Sequence, residues 1–158
     1  MQKITPFLWF DTQAEEAAKF YASVFPNSKI LKTARYGEAG PGPKGSVMTV
    51  EFELDGQRMI ALNGGPQFRF TEAISLVVDC QDQKEVDHYW NRLLQGGKES
   101  QCGWLKDRYG LSWQIVPTVL GELLSAPDAK KAKRVMEAML KTKKIDIAAL
   151  KAAAEAAS

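Results

Sequence analysis

The sequence predicts an α+β protein built from two repeated strand–helix–strand–strand–strand (βαβββ) modules, followed by a helical extension. The repeat is visible at a fixed offset of 69 residues, which places Ile4–Phe25 over Ala73–Leu94. Each copy passes from an apolar strand pattern to a helical pattern and then to shorter strands. After Pro117 the pattern is helical only. We therefore expect two modules at 1–66 and 67–117 within one domain at 1–117, and an extension of that domain at 118–158.

The first module begins with an apolar run at Ile4–Phe10, which predicts a strand covered on both faces. Asp11-Thr12 offers an N-cap for a helix over Gln13–Phe25. The glycines and prolines of Gly37–Gly45 predict a loop. Asp55-Gly56 is a strong signal for a two-residue hairpin turn. The three remaining strands are expected at Lys29–Tyr36, Ser46–Leu54 and Gln57–Asn63.

The second module repeats this order. A first strand is expected at Thr71–Asp79 and a helix at Gln81–Gln95, which the pair Gly96-Gly97 ends. Two short strands around Gly103 and a last strand follow, within Lys98–Asp107 and Leu111–Val116.

The extension reads as helices alone. Asp128 is placed to cap a helix whose apolar stripe includes Val135 and Met139. A last short helix is expected around Leu150. This segment is too small for an independent domain, so we expect it to pack on the modules or on a partner subunit.

The composition is that of an ordinary globular protein, with 45% hydrophobic and 25% charged residues. The net charge of +2 gives no electrostatic footprint for nucleic acid. No apolar run approaches the roughly 20 residues that span a bilayer, so no membrane association is expected. The N-terminus has no charged-then-apolar leader, and Cys80 and Cys102 form no secreted scaffold pattern. A cytoplasmic protein with reduced thiols is therefore expected.

Three segments carry a resemblance to a known family. They are ITPFLWFDTQAEEAAKFYASVFPNSKI, DRYGLSWQIVP and SAPDAKKAKRVMEAMLKTKKIDIAAL. Together they resemble the PhnB-like family, often labelled 3-demethylubiquinone methyltransferases. That family is part of the vicinal oxygen chelate superfamily, with glyoxalase I, extradiol dioxygenases and bleomycin-resistance proteins. The resemblance implies paired βαβββ modules that form a glyoxalase/bleomycin-resistance-type cup.

Metal-dependent members of that superfamily hold one divalent ion with four His or Glu side chains from the first and last strands. The resemblance places the last-strand positions on Ile60 and Gln114. The first-strand positions fall on Ile4 or Pro6, and on Ala73 or Ser75. None of these is a good ligand for a transition metal. No metal and no cofactor are therefore expected.

The sequence gives little indication of a catalytic base or of a nucleotide-binding site. The single histidine, His88, falls on the solvent face of the second helix. The glycine-rich loop precedes a strand and matches no nucleotide-binding fingerprint, so the sequence argues against the methyltransferase activity that the family label names. Catalytic residues stay unassigned.

An apolar cup with few polar groups is typical of a small-molecule site. The expected function is therefore metal-free binding of an unidentified small organic ligand. Leu8 and Trp104 are expected as apolar walls, and Ser75, Ser112 and Gln114 as polar contacts. One alternative is a metal-dependent lyase, isomerase or dioxygenase with non-standard ligands. Another is a protein whose cup is filled by its own core.

Family habit and the apolar helical tail indicate a homodimer. No nucleic acid or membrane partner is expected.

Overall fold

The computed structural model describes residues 2–156, so Met1 and the last two residues of the predicted extension lie outside it. The chain divides into two compact units, one ending at Phe70 and the other beginning at Thr71. The first contains β1 (Phe7–Phe10), α1 (Ala14–Val24), β2 (Lys29–Arg35), β3 (Val47–Leu54) and β4 (Gln57–Asn63). The second contains β5 (Ser75–Cys80), α2 (Gln83–Leu94), β6 (Lys98–Glu99), β7 (Trp104–Lys106), β8 (Ser112–Pro117), α3 (Thr118–Leu124), α4 (Ala129–Leu140) and α5 (Ile147–Glu155). Two βαβββ modules with a helical extension are thus confirmed.

The first unit is a four-stranded sheet in the order β1-β4-β3-β2, with α1 packed on one face. β1 runs parallel to β4, and the other neighbours are antiparallel. Tyr21 of α1 is fully buried and stacks on Phe52 of β3, with ring centroids 6.4 Å apart. The predicted turn at Asp55-Gly56 joins β3 to β4. Both residues have positive φ, 50° and 80°, as a type I′ hairpin requires.

The first strand and the first helix of this unit differ from the expectations. β1 begins at Phe7 rather than Ile4, and it is not covered on both faces, because Phe7 is 55% exposed. The helix α1 is not capped by Asp11 or Thr12. Its N-cap residue is Gln13, which makes no side-chain capping bond, and Asn63 Oδ1 accepts from the amide of Ala14 at 2.8 Å instead.

The second unit repeats the arrangement, with strand order β5-β8-β7-β6 and α2 packed against β5, β7 and β8. α2 begins at Gln83, two residues later than expected, because the carboxylate of Asp82 caps the amide of Glu85 at 2.9 Å. Leu105, Trp113 and Ile115 are buried on the α2 side of the sheet.

A buried carboxylate organises the turn between β7 and β8. Asp107 is 3% exposed, and its Oδ1 accepts from the amides of Tyr109 and Leu111 at 2.8 and 3.1 Å. Its Oδ2 accepts from the indole Nε1 of Trp113 at 2.9 Å. Gly110 closes the turn with a φ of 88°, a conformation that disfavours other residues.

The helical extension packs on the second module of the same chain. The amides of Cys102 and Gly103 donate to the carbonyls of Thr142 and Lys143 at 2.9 and 2.7 Å. The side chain of Gln83 donates to the carbonyl of Ile145 and accepts from the amide of Ile147. Asp128 caps α4 as predicted, accepting from the amides of the second and third helical residues. The core of the extension consists of Leu120, Val135, Ile145, Leu150 and Ala154.

We predict that Asp107→Asn destabilises the protein by about 1.5–3 kcal/mol, the usual contribution of a hydrogen bond to a charged group. An asparagine that keeps its oxygen toward the turn amides points its amide nitrogen at the Trp113 indole, so two donors face each other. Urea denaturation followed by far-UV circular dichroism measures the change.

The matched control is Trp113→Phe, alone and combined with Asp107→Asn. Since phenylalanine removes the second donor, Asp107→Asn should cost less in the Trp113→Phe background. Equal costs in both backgrounds would contradict the role assigned to the indole bond.

Candidate functional site

Four of the residues predicted to bind ligand lie on one face of the second sheet. Ser75 pairs with Ser112 across β5 and β8, and Gln114 pairs with Trp104 across β8 and β7. Residues that are paired in register point to the same face. This face is opposite α2, and we call it the open face; Val77, also on it, is 55% exposed.

The polar groups at the centre of the open face are organised by a hydrogen bond between neighbouring strands. Gln114 Nε2 donates to Ser75 Oγ at 2.9 Å. The bond holds the amide plane and leaves the Gln114 carbonyl oxygen available as an acceptor.

Ser112 differs from its neighbours because its hydroxyl is enclosed. The residue is 1% exposed, and Oγ has no hydrogen-bond partner. A buried polar atom left unsatisfied costs about 1–3 kcal/mol. The Ser112 hydroxyl is therefore a donor on the open face that has no acceptor.

A pocket of about 290 Å³ opens beside Ser112. Lys106 Nζ forms an ion pair with the carboxylate of Glu72. Lys106 is on β7 and Glu72 precedes β5, and these two strands lie on opposite sides of β8 in the sheet. The hydrogen bond from Lys106 holds the pKa of Glu72 below its ordinary value, so the carboxylate stays charged at neutral pH. The pocket is lined by Glu72, Lys98, Glu99, Ser100, Trp104, Leu105, Lys106 and Ser112.

Lys106 and Glu72 are not among the residues that the sequence predicts for the site. Lys106 lies two residues after Trp104 on the same strand, so the period of two does place it on the same face as Trp104. Glu72 lies before β5, outside any strand, and no pattern in the sequence indicates its ion pair with Lys106.

Leu8 does not belong to an open face, which corrects its assignment as a cup wall. It pairs with Ala61, which pairs with Val50, and all three are buried. Val50 shares its face with Phe52, against which α1 packs, so Leu8 is part of the core beneath that helix.

The error comes from the assumption of one constant offset. Ile60 and Gln114 occupy equivalent places, four residues after the turn glycines; Ile60 pairs with Phe7 and Gln114 with Val77. The first strands therefore repeat at an offset of 70, whereas the buried helix residues Tyr21 and Trp90 repeat at 69. A shift of one residue moves every side chain of a strand to its other face.

The side chains present do not fit the divalent ion of metal-dependent superfamily members. In the first unit the equivalent positions, Phe7 and Ile60, carry only carbon. In the second unit the matching positions are Val77 and Gln114, which carry an apolar side chain and a neutral amide, and the neighbouring Ser75 adds only a hydroxyl. These groups are poor ligands for first-row transition metals. Among residues 2–156, no group of three or more His, Cys, Asp or Glu side chains is arranged to hold a metal ion.

The remaining reactive side chains lie away from the open face. His88 is exposed on α2, as predicted. Burial is the main reason that the pKa of the Cys80 thiol is raised to about 12, so it is not a nucleophile at neutral pH. Cys80 and Cys102 are both free thiols.

A second pocket, of about 530 Å³, lies in the first unit. The Gly37–Gly45 loop borders it; this loop wraps the ring of Tyr36, whose hydroxyl donates to the carbonyl of Asn63 at 2.5 Å. None of the ligand-binding residues predicted from the sequence lines it.

Comparisons with known proteins give a family. The family described as 3-demethylubiquinone-9 3-methyltransferase matches residues 2–116, which leaves the helical extension outside the match. A solved structure described as a putative 3-demethylubiquinone-9 3-methyltransferase, PhnB protein, from Bacillus cereus is similar at 40% identity and a TM-score of 0.68. The similarity covers 74% of this chain and 100% of that one. No curated protein matches the chain.

Two further solved structures share the fold at lower identity. Protein PA1353 from Pseudomonas aeruginosa is 19% identical, with a TM-score of 0.62 over 74% of this chain and 98% of that one. The fosfomycin resistance protein FosX from Listeria monocytogenes is 16% identical, with a TM-score of 0.55 over 79% and 98%. At these identities the likeness shows a common fold and nothing about activity.

Proposed function

The chain belongs to the 3-demethylubiquinone-9 3-methyltransferase (PhnB-like) family of the vicinal oxygen chelate superfamily, and from that premise we propose that it binds a small organic molecule without a metal ion. The binding surface is the open face of the second sheet, with Ser75, Ser112 and Gln114 as polar contacts and Trp104 as an aromatic wall. A fold with this architecture serves many chemistries, so the proposal depends on the site itself.

The observation that carries the proposal is the buried hydroxyl of Ser112. It has no hydrogen-bond partner, and it lies two residues before Gln114 on β8 and directly across from Ser75 on β5. Polar groups fixed by neighbours on a sheet are suited to orient a ligand, because they need no rearrangement when it binds. The aromatic surface of Trp104 supplies apolar contact beside them.

The family description does not define an activity for this chain. The glycine-rich loop at 37–45 leads into β3, so it does not open a helix as the phosphate-binding turns of cofactor-binding folds do. The methyltransferase label is therefore unsupported, and binding is the more economical function for the groups present.

We also propose that the protein is a cytoplasmic homodimer. In support of an association surface, α4 leaves Met136 and Leu140 39% and 57% exposed, and large exposed apolar side chains often mark protein contacts. None of the helices between residues 2 and 156 is long and apolar enough to cross a bilayer.

For the binding site, we predict that Gln114→Leu weakens small-molecule binding roughly 10–100-fold, because the lost hydrogen bonds contribute about 1–3 kcal/mol. The probe is a library of small aromatic acids, amides and alcohols. Binding is followed by the NMR shifts of the Trp104 indole and the Gln114 side-chain amide in the unmodified protein. In Gln114→Leu, which lacks the side-chain amide, affinity is measured from the NMR shift of the Trp104 indole alone.

The matched control is Gln57→Leu, which changes an exposed glutamine of the first unit. It should bind the same compounds with unchanged affinity, and both variants should unfold at nearly the temperature of the parent protein. Unchanged affinity in Gln114→Leu, or a library that never shifts the Trp104 indole, would sink the assignment.

For the oligomer, we predict that light scattering during size-exclusion chromatography gives twice the chain mass of 17.5 kDa. Because Leu140 is the more exposed of the two apolar residues on α4, Leu140→Glu should shift the population toward monomer. A monomeric parent protein at all concentrations tested would refute the dimer.

A further inference from the structure

The pocket beside Ser112 is lined by two acidic residues, and each of them pairs with a different lysine. The side chain of Lys106 pairs with Glu72, and both line the pocket. The other acidic residue there, Glu99, pairs with Lys143 at 3.4 Å. Glu72 is thus the carboxylate that neutralises Lys106 inside the pocket.

The ion pair of Lys106 and Glu72 is accessible to solvent. The two side chains are 42% and 59% exposed. Exposed ion pairs contribute only about 0–1 kcal/mol, since water screens them. Another anion that makes additional contacts can therefore replace Glu72 at little cost.

Ser112 supplies an additional contact. It is the direct cross-strand neighbour of Lys106, and its hydroxyl is buried with no acceptor. The ammonium and the hydroxyl are therefore two donors on adjacent strands of one face. Oxygen anions accept hydrogen bonds from both kinds of donor, and such charge-assisted bonds are stronger than neutral ones.

We propose that this pocket binds the anionic oxygen group, a carboxylate or a phosphonate, of an organic ligand, and that this group displaces Glu72 from Lys106. Ser112 Oγ then donates to the anion, and Trp104 contacts the organic part. The proposal rests on the open face being the ligand-binding surface and adds the charge class of the ligand.

The test compares benzoate and phenylphosphonate with neutral benzamide, using calorimetry and the NMR shift of the Trp104 indole. The two anions should bind more tightly than benzamide. Lys106→Met should weaken anion binding roughly 10-fold or more, because it removes a charge-assisted bond. Glu72→Gln should strengthen anion binding roughly 2- to 5-fold, because it removes the internal competitor.

Ser112→Ala is a second, independent test of the anion site. It should weaken benzoate binding while leaving the unfolding temperature unchanged or higher, since an unsatisfied hydroxyl has been removed. The controls are Lys44→Met and Glu38→Gln, which alter a comparable exposed ion pair of 2.9 Å in the first unit. Neither should change the affinity for benzoate.

The outcomes separate the two proposals. If benzamide binds as tightly as benzoate and Lys106→Met changes neither, while Gln114→Leu weakens both, the anionic class is wrong and the binding face stands. If none of the three probes shifts the Trp104 indole, the anion site is overturned. The proposed function then depends on the wider library. Weaker anion binding in Glu72→Gln would also overturn displacement.

Discussion

The buried carboxylate of Asp107 is the interaction on which the candidate site depends. It accepts hydrogen bonds from two amides of the β7–β8 turn and from the Trp113 indole, so it fixes the length of that turn. Turn length sets the register of the two strands, and a slip of one residue would exchange their faces. Ser112 and Gln114 reach the open face because Trp113 between them is held on the other.

The second module was the more predictable from sequence. The sequence predicts Ser112 and Gln114 on one face, because residues two apart on a strand point the same way, and the structure places both opposite the buried Trp113. Leu8 was misplaced because three residues connect β1 to α1, whereas two connect β5 to α2. With the helices aligned, the one extra residue before α1 shifts β1 by one position relative to β5. A shift of one residue exchanges the two faces of a strand.

Contacts between distant side chains were beyond the sequence. No local pattern signals that Glu72 reaches Lys106, or that Gln83 holds the backbone at Ile145 and Ile147 and so docks the extension on its own module. The same applies to Asn63, which replaces the expected caps of α1 from 49 residues away. These bonds depend on tertiary proximity, which composition and periodicity do not encode.

We propose that the open face binds an organic ligand with protein groups alone. The most direct measurement is the metal content of protein purified without chelators, together with its unfolding temperature in Mn²⁺, Fe²⁺, Co²⁺, Ni²⁺ and Zn²⁺. We predict no stoichiometric first-row metal and no ion-specific stabilisation, because Gln114 and Ser75 offer only neutral oxygen atoms and Phe7, Ile60 and Val77 offer none. One tightly bound ion per subunit, with a matching rise in unfolding temperature, would contradict the account.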